Sequence, residues 1–421
     1  MFGRYIWIIY GLCLVLLAFV AGVAATHYKF SAGILVQDAL KSGQQWYTLY
    51  REDVEYTRHE KTHAPEPLIE WNKNKAFYGY TLLTTHNGNS VWLVNMIGKT
   101  IHSWHASFWR IWPNAEHLPV RPRSAFVHKL QLFPNGDLLV QFSSIGITPY
   151  GLGIAKLDKD SNILWRYTEF AHHDFHVDKE NGHIYALTQE MIHKAPQGYE
   201  QLPFPMLADY IVTLSPDGRE IRRLSILKAF KNSSYYPMLH YYNGKEKWDH
   251  LHTNSVEKLE PDMAQHFPMF KKGQLLVSVR NPSIIAVIDT EKEAVVWAAK
   301  GIWLRQHAAQ FTRDGTITFL DNQGMRTADS IYSRILAINP ATRDTTILYA
   351  PSKERFFTRY MGSHQMLDNG NIFINSANQS RLFEVNNSGE IVWRYQLPVK
   401  TSNRITGAAR YTREYVDFLN P

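Results

Sequence analysis

The chain of 421 residues is 45% hydrophobic and 13% aromatic, enough for one large core or two ordinary ones. Its 45 Lys and Arg exceed 38 Asp and Glu for a formal net charge of +7, but they are scattered, which excludes a nucleic-acid face. The single cysteine, Cys13, allows no disulfide within the chain, so stability must come from the core.

Residues 5–25 are almost wholly apolar, about the length that crosses a bilayer as a helix. Arg4 and the α-amino group precede them, so the charge rule leaves the N-terminus in the cytoplasm and exports the rest. A cleaved signal peptide is the rival, with Val23 and Ala25 as its small residues. The run is longer than a usual signal core, which favours a transmembrane anchor over residues 1–26. Residues 27–70 read as a helical stalk or linker, the helix ending near Pro65 and Pro67.

From residue 71 to 400 a repeat takes over. Strand pairs run 80–83 and 90–94 about His86-Asn87-Gly88, then 128–132 and 137–142 about Pro134-Asn135-Gly136. The next are 173–177 and 183–188 about Glu180-Asn181-Gly182, then 252–259 and 274–280 across a longer connection. The last two are 307–311 with 316–320 about Asp314-Gly315, and 364–367 with 371–375 about Asn369-Gly370. Most are followed by a second hairpin, as at Pro216-Asp217-Gly218 and Ser388-Gly389. Four strands per unit and six units predict an all-β fold, a six-bladed β-propeller preceded by the transmembrane helix and short stalk. Trp104, Trp165, Trp297 and Trp393 fall at outer turns and are read as packing between blades. The long stretch 189–249 is expected to shape the mouth of the channel, and residues 401–421 to close against the first blade.

The histidines that open these hairpins are in phase. His128 precedes Gly136 by eight positions and His307 precedes Gly315 by eight, while His173 precedes Gly182 by nine. Equivalent inner-strand positions meet at one end of the propeller axis. Alternation puts His252 and Asn254 on one face, and the returning strand brings Arg280 beside His252. A mouth lined by His173, His252, Asn254, Arg280 and His307 follows from topology. Asn322 and Arg326, on the strand that returns from His307, are read as substrate-binding. His128 and His364 are equally well read as hydrogen-bonded core residues, and Arg280 as the partner of a carboxylate. No HxxxH or CxxC pairing supports a metal, and no cofactor is expected. Gly98-Lys99-Thr100 has Leu93 where a phosphate loop needs glycine, so nucleotide donors are not indicated.

The motifs AHHDFHVD around His173, WDHLHTNSV with SVR ending at Arg280, QHAAQFTRDGTITFLDNQ at His307 and GSHQMLDNGNIFIN resemble the aryl-sulfate sulfotransferases. That resemblance spans about residues 80–395. It implies an exported bacterial six-bladed propeller that moves a sulfuryl group from an aryl sulfate donor to a phenolic or other hydroxyl acceptor, without nucleotide. His307 matches the family's nucleophile, transiently sulfated in a ping-pong cycle. His252 and Asn254 match the pair that binds the sulfuryl group, and Arg280 the residue that neutralises its charge. His173 matches the remaining histidine, with His172 as its alternative. Export together with the apolar run 5–25 gives a single-pass protein of the bacterial inner membrane with a periplasmic catalytic domain, the anchor replacing the family's simple signal. The chain departs from the family's pattern in lacking a cysteine pair and the N-terminal β-rich extension.

The chemistry suits those residues. Neutral imidazole is a competent nucleophile, and sulfuryl transfer, like phosphoryl transfer, is helped most by placed cations and donors. A second histidine can protonate the leaving phenolate and later take the acceptor's proton. The competing reading is a non-catalytic, membrane-anchored propeller that binds a ligand or assembles partners. A quinone-dependent dehydrogenase would need acidic calcium ligands, which the sequence does not offer. Oligomeric state leaves no signal in the sequence.

Overall fold

In the computed structural model, residues 13, 15–23, 67–86, 89–118, 122, 124–241, 247–326, 331–350, 355–397 and 404–419 are described. The chain divides into two compact units, Met1–Arg58 and His59–Pro421. In the first, Cys13 and residues 15–23 are helical and exposed. Among the described residues no helix is long and apolar enough to cross a membrane. The rest of the expected anchor, and the stalk as far as residue 66, lie outside the described residues.

The second unit is an all-β, six-bladed propeller. Its strands in chain order begin with β1 (Leu68–Trp71), β2 (Tyr80–Thr85), β3 (Ser90–Val94) and β4 (Thr100–His105). Blade two is β5 (Phe126–Leu132), β6 (Leu138–Ser143), β7 (Gly151–Leu157) and β8 (Ile163–Tyr167). Blade three is β9 (Ala171–Val177), β10 (Ile184–Ile192), β11 (Met206–Leu214) and β12 (Glu220–Ser225). Blade four is β13 (Thr253–Lys258), β14 (Leu275–Val279), β15 (Ile284–Asp289) and β16 (Ala294–Ala299). Blade five is β17 (His307–Phe311), β18 (Ile317–Arg326), β19 (Ile331–Ile338) and β20 (Thr345–Tyr349). Blade six is β21 (Ser363–Met366), β22 (Ile372–Ser376), β23 (Arg381–Val385) and β24 (Ile391–Gln396), and β25 (Ile405–Tyr411) follows.

Both ends of the domain differ from the repeat read in the sequence. The hairpin β2–β3 supplies the second and third strands of blade one, because β25 lies inside β2 in register Tyr80↔Tyr411 through Thr85↔Ile405. The C-terminal strand is thus the innermost strand of the first blade and closes the ring. Residues assigned to the stalk form β1 instead, which adds a fifth strand to blade six through Leu68↔Gln396 and Trp71↔Trp393. Both pairings bury backbone groups that a free edge would leave unpaired. Part of the stretch 189–249 is core rather than mouth. Its helix Ile226–Lys231 buries Ile226, Leu227, Ala229 and Phe230 against the strands of blades three and four.

The outer tryptophans clasp neighbouring blades. The indole N–H of Trp104 donates to Gly136 O (3.0 Å), that of Trp165 to Pro216 O (3.0 Å), that of Trp297 to Pro340 O (3.0 Å) and that of Trp393 to Met96 O (2.9 Å). Each acceptor is a turn of the next blade.

A second circle runs down the channel wall. Thr406 Oγ1 donates to Val127 O (2.6 Å), and Lys129 Nζ pairs with Asp174 (2.6 Å), which accepts from Val256 N–H (3.1 Å). Glu257 accepts from Phe311 N–H (2.6 Å), Gln310 donates to His364 O (2.7 Å), and Gln365 exchanges two bonds of 2.9 Å with the Arg410 backbone. These links tie every blade to the next and return to the first. They explain why an inner wall carries so many charged and amide groups: each satisfies a backbone or side-chain partner across a blade boundary.

Candidate active site

The histidines reach the axis through irregular backbone. The pairing of β5 with β6 shifts register between Val127 and Lys129, at His128. The shift in blade three falls between Ala186 and Thr188, opposite the start of β9. In blade four it falls between Thr253 and Ser255, at Asn254, and in blade five between His307 and Gln310. His173, His252 and Ala308 have φ of 57°, 50° and 53°. Such bulges turn a side chain out of the pleat at the rim of a closed sheet, and left-handed backbone at non-glycine residues costs free energy that surrounding structure must offset. Simple alternation therefore does not hold here. His252 precedes β13 rather than sharing a strand face with Asn254; Asn254 lines the cavity, while His252 and Arg280 stand behind its lining, His252 in ring contact with His173.

His128, His173, Asn254, His307 and His364 line one axial cavity of about 340 Å³. Blade one contributes Gly407, where a Cβ would crowd His128 O at 3.0 Å. The imidazoles are in contact: His173 lies 4.7 Å from His252 and 4.9 Å from His128 between ring centroids. Tyr150 joins them, its ring 5.3 Å from His173 and 5.5 Å from His252, with its hydroxyl 3.4 Å from His252 Nδ1. His172 is fully buried and passes behind His173, the two Nδ1 atoms 2.8 Å apart, so one donates and the other accepts.

His307 is held from behind. Its Nδ1 lies 2.7 Å from Asn322 Oδ1 and 3.0 Å from Arg305 O, two acceptors that keep the proton on Nδ1. Asn322 is itself buried and spends both amide hydrogens on Thr358 O (2.8 Å) and Met361 O (3.0 Å). Asn322 thus holds His307 from behind. Arg326 ends β18 and its side chain lies outside the described residues. Arg280 is buried, its backbone N–H donating to His252 O (3.2 Å) as the returning strand required. Its Nη1 donates to Asn281 Oδ1 (2.7 Å), which also accepts from Arg305, and the guanidinium lies 6.0 Å from the Tyr360 ring. Asn254 donates Nδ2–H to Gln306 O (2.8 Å), while its Oδ1 has no hydrogen-bond partner.

Burial, the charge of Arg280 and then those of His252 and His128 hold His307 well below the ordinary imidazole range, so it stays neutral. Burial and the charge of His252 do the same to His173, lower His128 to about 4 and lower His172 to about 3. His364 is lowered to about 3 by burial, its Nε2 2.9 Å from Thr318 Oγ1, which suits a core residue at the edge of the site. Burial and the neighbouring charge of Asp249 raise Asp209 to about 8, and burial raises Glu257 to about 8. Among the described residues one carboxylate group, Asp178, Glu180 and Glu260, is close-set enough for a cation. Lys258 Nζ pairs with all three at 2.7, 3.4 and 3.3 Å, so the chain's own cation already stands among them.

The sequence missed Tyr150 and the grip of Asn322 on His307, and it offered Asp249 as a carboxylate that could orient an imidazole without showing that the imidazole is His252. Tyr150 had a signal: it sits in the Pro149-Tyr150-Gly151 connection after β6, at the same end as the start of the inner strands. The other two depend on side-chain directions that spacing does not fix.

The class these observations define is a closed propeller whose axial cavity is lined by histidines that burial keeps neutral, with the charge of Arg280 acting on His307. The family profile described as arylsulfotransferase (ASST) matches residues 129–397. The chain belongs to the arylsulfotransferase family. No curated protein matches it. A crystal structure of a protein of unknown function from Bacteroides caccae is 12% identical with a TM-score of 0.51, covering 79% of this chain and 99% of that one. A catalytically inactive virginiamycin B lyase from Staphylococcus aureus, with quinupristin, is 14% identical with a TM-score of 0.43, covering 80% and 90%. The first likeness is one of fold.

Proposed function

We propose that the protein transfers a sulfuryl group from an aryl sulfate to a phenolic or other hydroxyl acceptor through sulfated His307. The observation that carries this reading is the double restraint on His307 Nδ1, at 2.7 Å from Asn322 and 3.0 Å from Arg305 O. It leaves the lone pair on Nε2, on a ring kept neutral by burial and the charge of Arg280. Nε2 attacks sulfur as the sulfur–oxygen bond to the aryl group breaks, and an acceptor oxygen then displaces His307 in the reverse sense. Arg280 offsets charge on the transferring oxygens, a task suited to a buried guanidinium. One Nδ2 hydrogen of Asn254 is engaged by Gln306 O, and the other is left to donate to a sulfuryl oxygen.

We extend the proposal to location: the apolar stretch 5–25 with Arg4 before it supports an anchored enzyme of the inner membrane, working in the periplasm. Incubation with 4-nitrophenyl sulfate and a phenol should release nitrophenol in wild type and not in His307→Ala. A mass increase on the His307 peptide after donor alone should mark the intermediate. Equal turnover by the two proteins would sink the reading.

A further inference from the structure

The cluster holds a pair that nothing in the roles above uses. Asp249 ends the short helix Lys247–Asp249, at the close of the long connection between blades three and four. Its Oδ2 makes a very short contact with Nδ1 of His252, and its side chain is only 5% exposed. Its backbone carbonyl accepts from Asn281 Nδ2, next to Arg280. Asp249 is thus fixed from both sides and aimed at one nitrogen of one histidine.

Two described imidazoles near the axis are bonded to a carboxylate: His176, whose Nε2 lies 2.7 Å from Glu260 down the channel wall, and His252, which alone of the two touches the ring of His173. His172 Nε2 stands 3.7 Å from Asp209 Oδ1, outside hydrogen-bond range, while His128 faces Ser143 Oγ, His307 faces Asn322 and His364 faces Thr318. Charge on His252 accordingly appears among the causes that depress His128, His172, His173 and His307. The two buried carboxylic groups are also split. Asp209, bonded to Thr253 N–H and facing the charge of Asp249, stays protonated to about 8, which leaves the negative charge on Asp249. Opposed environments for adjacent titratable groups assign different roles to them.

We propose that Asp249 is the positioning residue that makes His252 the proton carrier of the transfer reaction. The proposal rests on the sulfohistidine reading and deepens it. A carboxylate on Nδ1 fixes that nitrogen as the N–H and makes Nε2 the one that gains and loses a proton. In the first half-reaction the His307–sulfur bond forms as the sulfur–oxygen bond breaks. The electron pair leaves on the aryl oxygen, and His252 gives it the Nε2 proton. In the second, the acceptor hydroxyl gives its proton to His252 as its oxygen bonds to sulfur and His307 departs with its lone pair. No oxidant or additional reactant is needed, and His252 ends as it began. The Tyr150 hydroxyl lies 3.4 Å from the same Nδ1, its ring tilted 35° to that of His252 at 5.5 Å.

The test compares leaving groups in Asp249→Asn. Phenyl sulfate leaves as a basic phenolate that needs the proton, whereas 4-nitrophenyl sulfate leaves as a stable anion. In a single turnover without acceptor, release of phenol from phenyl sulfate should slow about 10²–10⁴-fold, and release of nitrophenol from 4-nitrophenyl sulfate less than about tenfold. The mass increase at His307 should persist with the second donor. Asp249→Glu should recover part of the loss on phenyl sulfate, and His252→Gln should repeat the leaving-group pattern. Equal losses on both donors, or no loss on either, would overturn the role of Asp249. Loss of the intermediate in Asp249→Asn would do so as well. Failure of the sulfohistidine reading has a different signature: undiminished turnover in His307→Ala, whatever Asp249→Asn does.

Discussion

Replacing Asn322 by leucine tests how His307 is held. The substitution preserves size but leaves the imidazole N–H without its nearer acceptor and removes both donors to Thr358 O and Met361 O. Position 322 is fully buried, so water has no ready route to replace them. Three broken pairs at about 1–2 kcal/mol each give a stability loss of about 3–6 kcal/mol. For a domain this large that is about 4–8 °C in Tm. The kinetic effect is bounded differently. Complete loss of tautomer control costs about 10⁴-fold in a serine protease triad, but Arg305 O still accepts at 3.0 Å here. The expected fall in kcat is therefore about 10²–10³-fold, read with 4-nitrophenyl sulfate and saturating phenol well below the new Tm. Asn322→Asp keeps an acceptor for Nδ1 and turns a carboxylate towards two carbonyls, so it should lose stability while retaining more activity than the leucine variant. A folded Asn322→Leu protein with kcat within threefold of wild type would refute the argument that the Nδ1 restraint prepares the nucleophile.

Arg280→Gln should lower kcat/KM for the donor about 10²–10³-fold, and because Arg280's charge helps depress His307, the acid limb of the pH–rate profile should move to higher pH. An unchanged limb would separate Arg280 from His307. Stability should peak near pH 6.5. His128, His172 and His364, depressed to about 4, 3 and 3, stay unprotonated when folded, so the unfolded chain gains more protons and stability falls as pH drops below 6.5. Asp209 and Glu257, raised to about 8, work the other way: their carboxyls hold protons that the unfolded chain releases, so stability declines as pH rises from the ordinary carboxylate range towards 8. Glu257→Gln keeps an acceptor for Phe311 N–H and should raise Tm at pH 8 relative to wild type; a lower Tm there would mean that the carboxylate itself is required. Trp393→Phe should cost about 1–2 kcal/mol by leaving Met96 O without its indole donor, seen as a lower Tm with unchanged kinetics.

Much of this molecule was legible because propellers repeat. Turn signals such as Asn-Gly at 135–136 and 369–370, and strand lengths near six residues, fixed the six blades, and the indoles at 104, 165, 297 and 393 do tie adjacent blades. The register of His128 and His307 ahead of their turns placed both at one end of the axis, and the cavity contains them. The blade boundaries were less legible. Residues 80–94 look like a first hairpin whether or not another strand lies inside them, and the strand that does, β25, is more than three hundred residues away. Leu68–Trp71 reads as stalk for a similar reason, since its partner β24 is equally distant.

The side-chain assignments failed where alternation fails. A period of two predicts which residues share a face only while each residue opposes one partner, and four inner strands break that count at the level of the site. Asn322 shows the consequence: counted along β18 it opposes the mouth, yet its amide turns back to the carbonyls of Thr358 and Met361 and grips His307. The register shifts that made the site hard to read also make it work. A regular closed sheet would stack its imidazoles in a polar column, each paired along its own blade. Kinked strands bring rings from blades two and three, and from the lead-in to blade four, within 5 Å of one another. There burial keeps most of them uncharged, and among the imidazoles the histidine joined to Asp249 exerts the largest charge effect on His173 and His307. Distinct roles for chemically identical residues follow from which hydrogen-bond partner each bulge delivers, and Asp249→Asn and Asn322→Leu remove two of those partners one at a time.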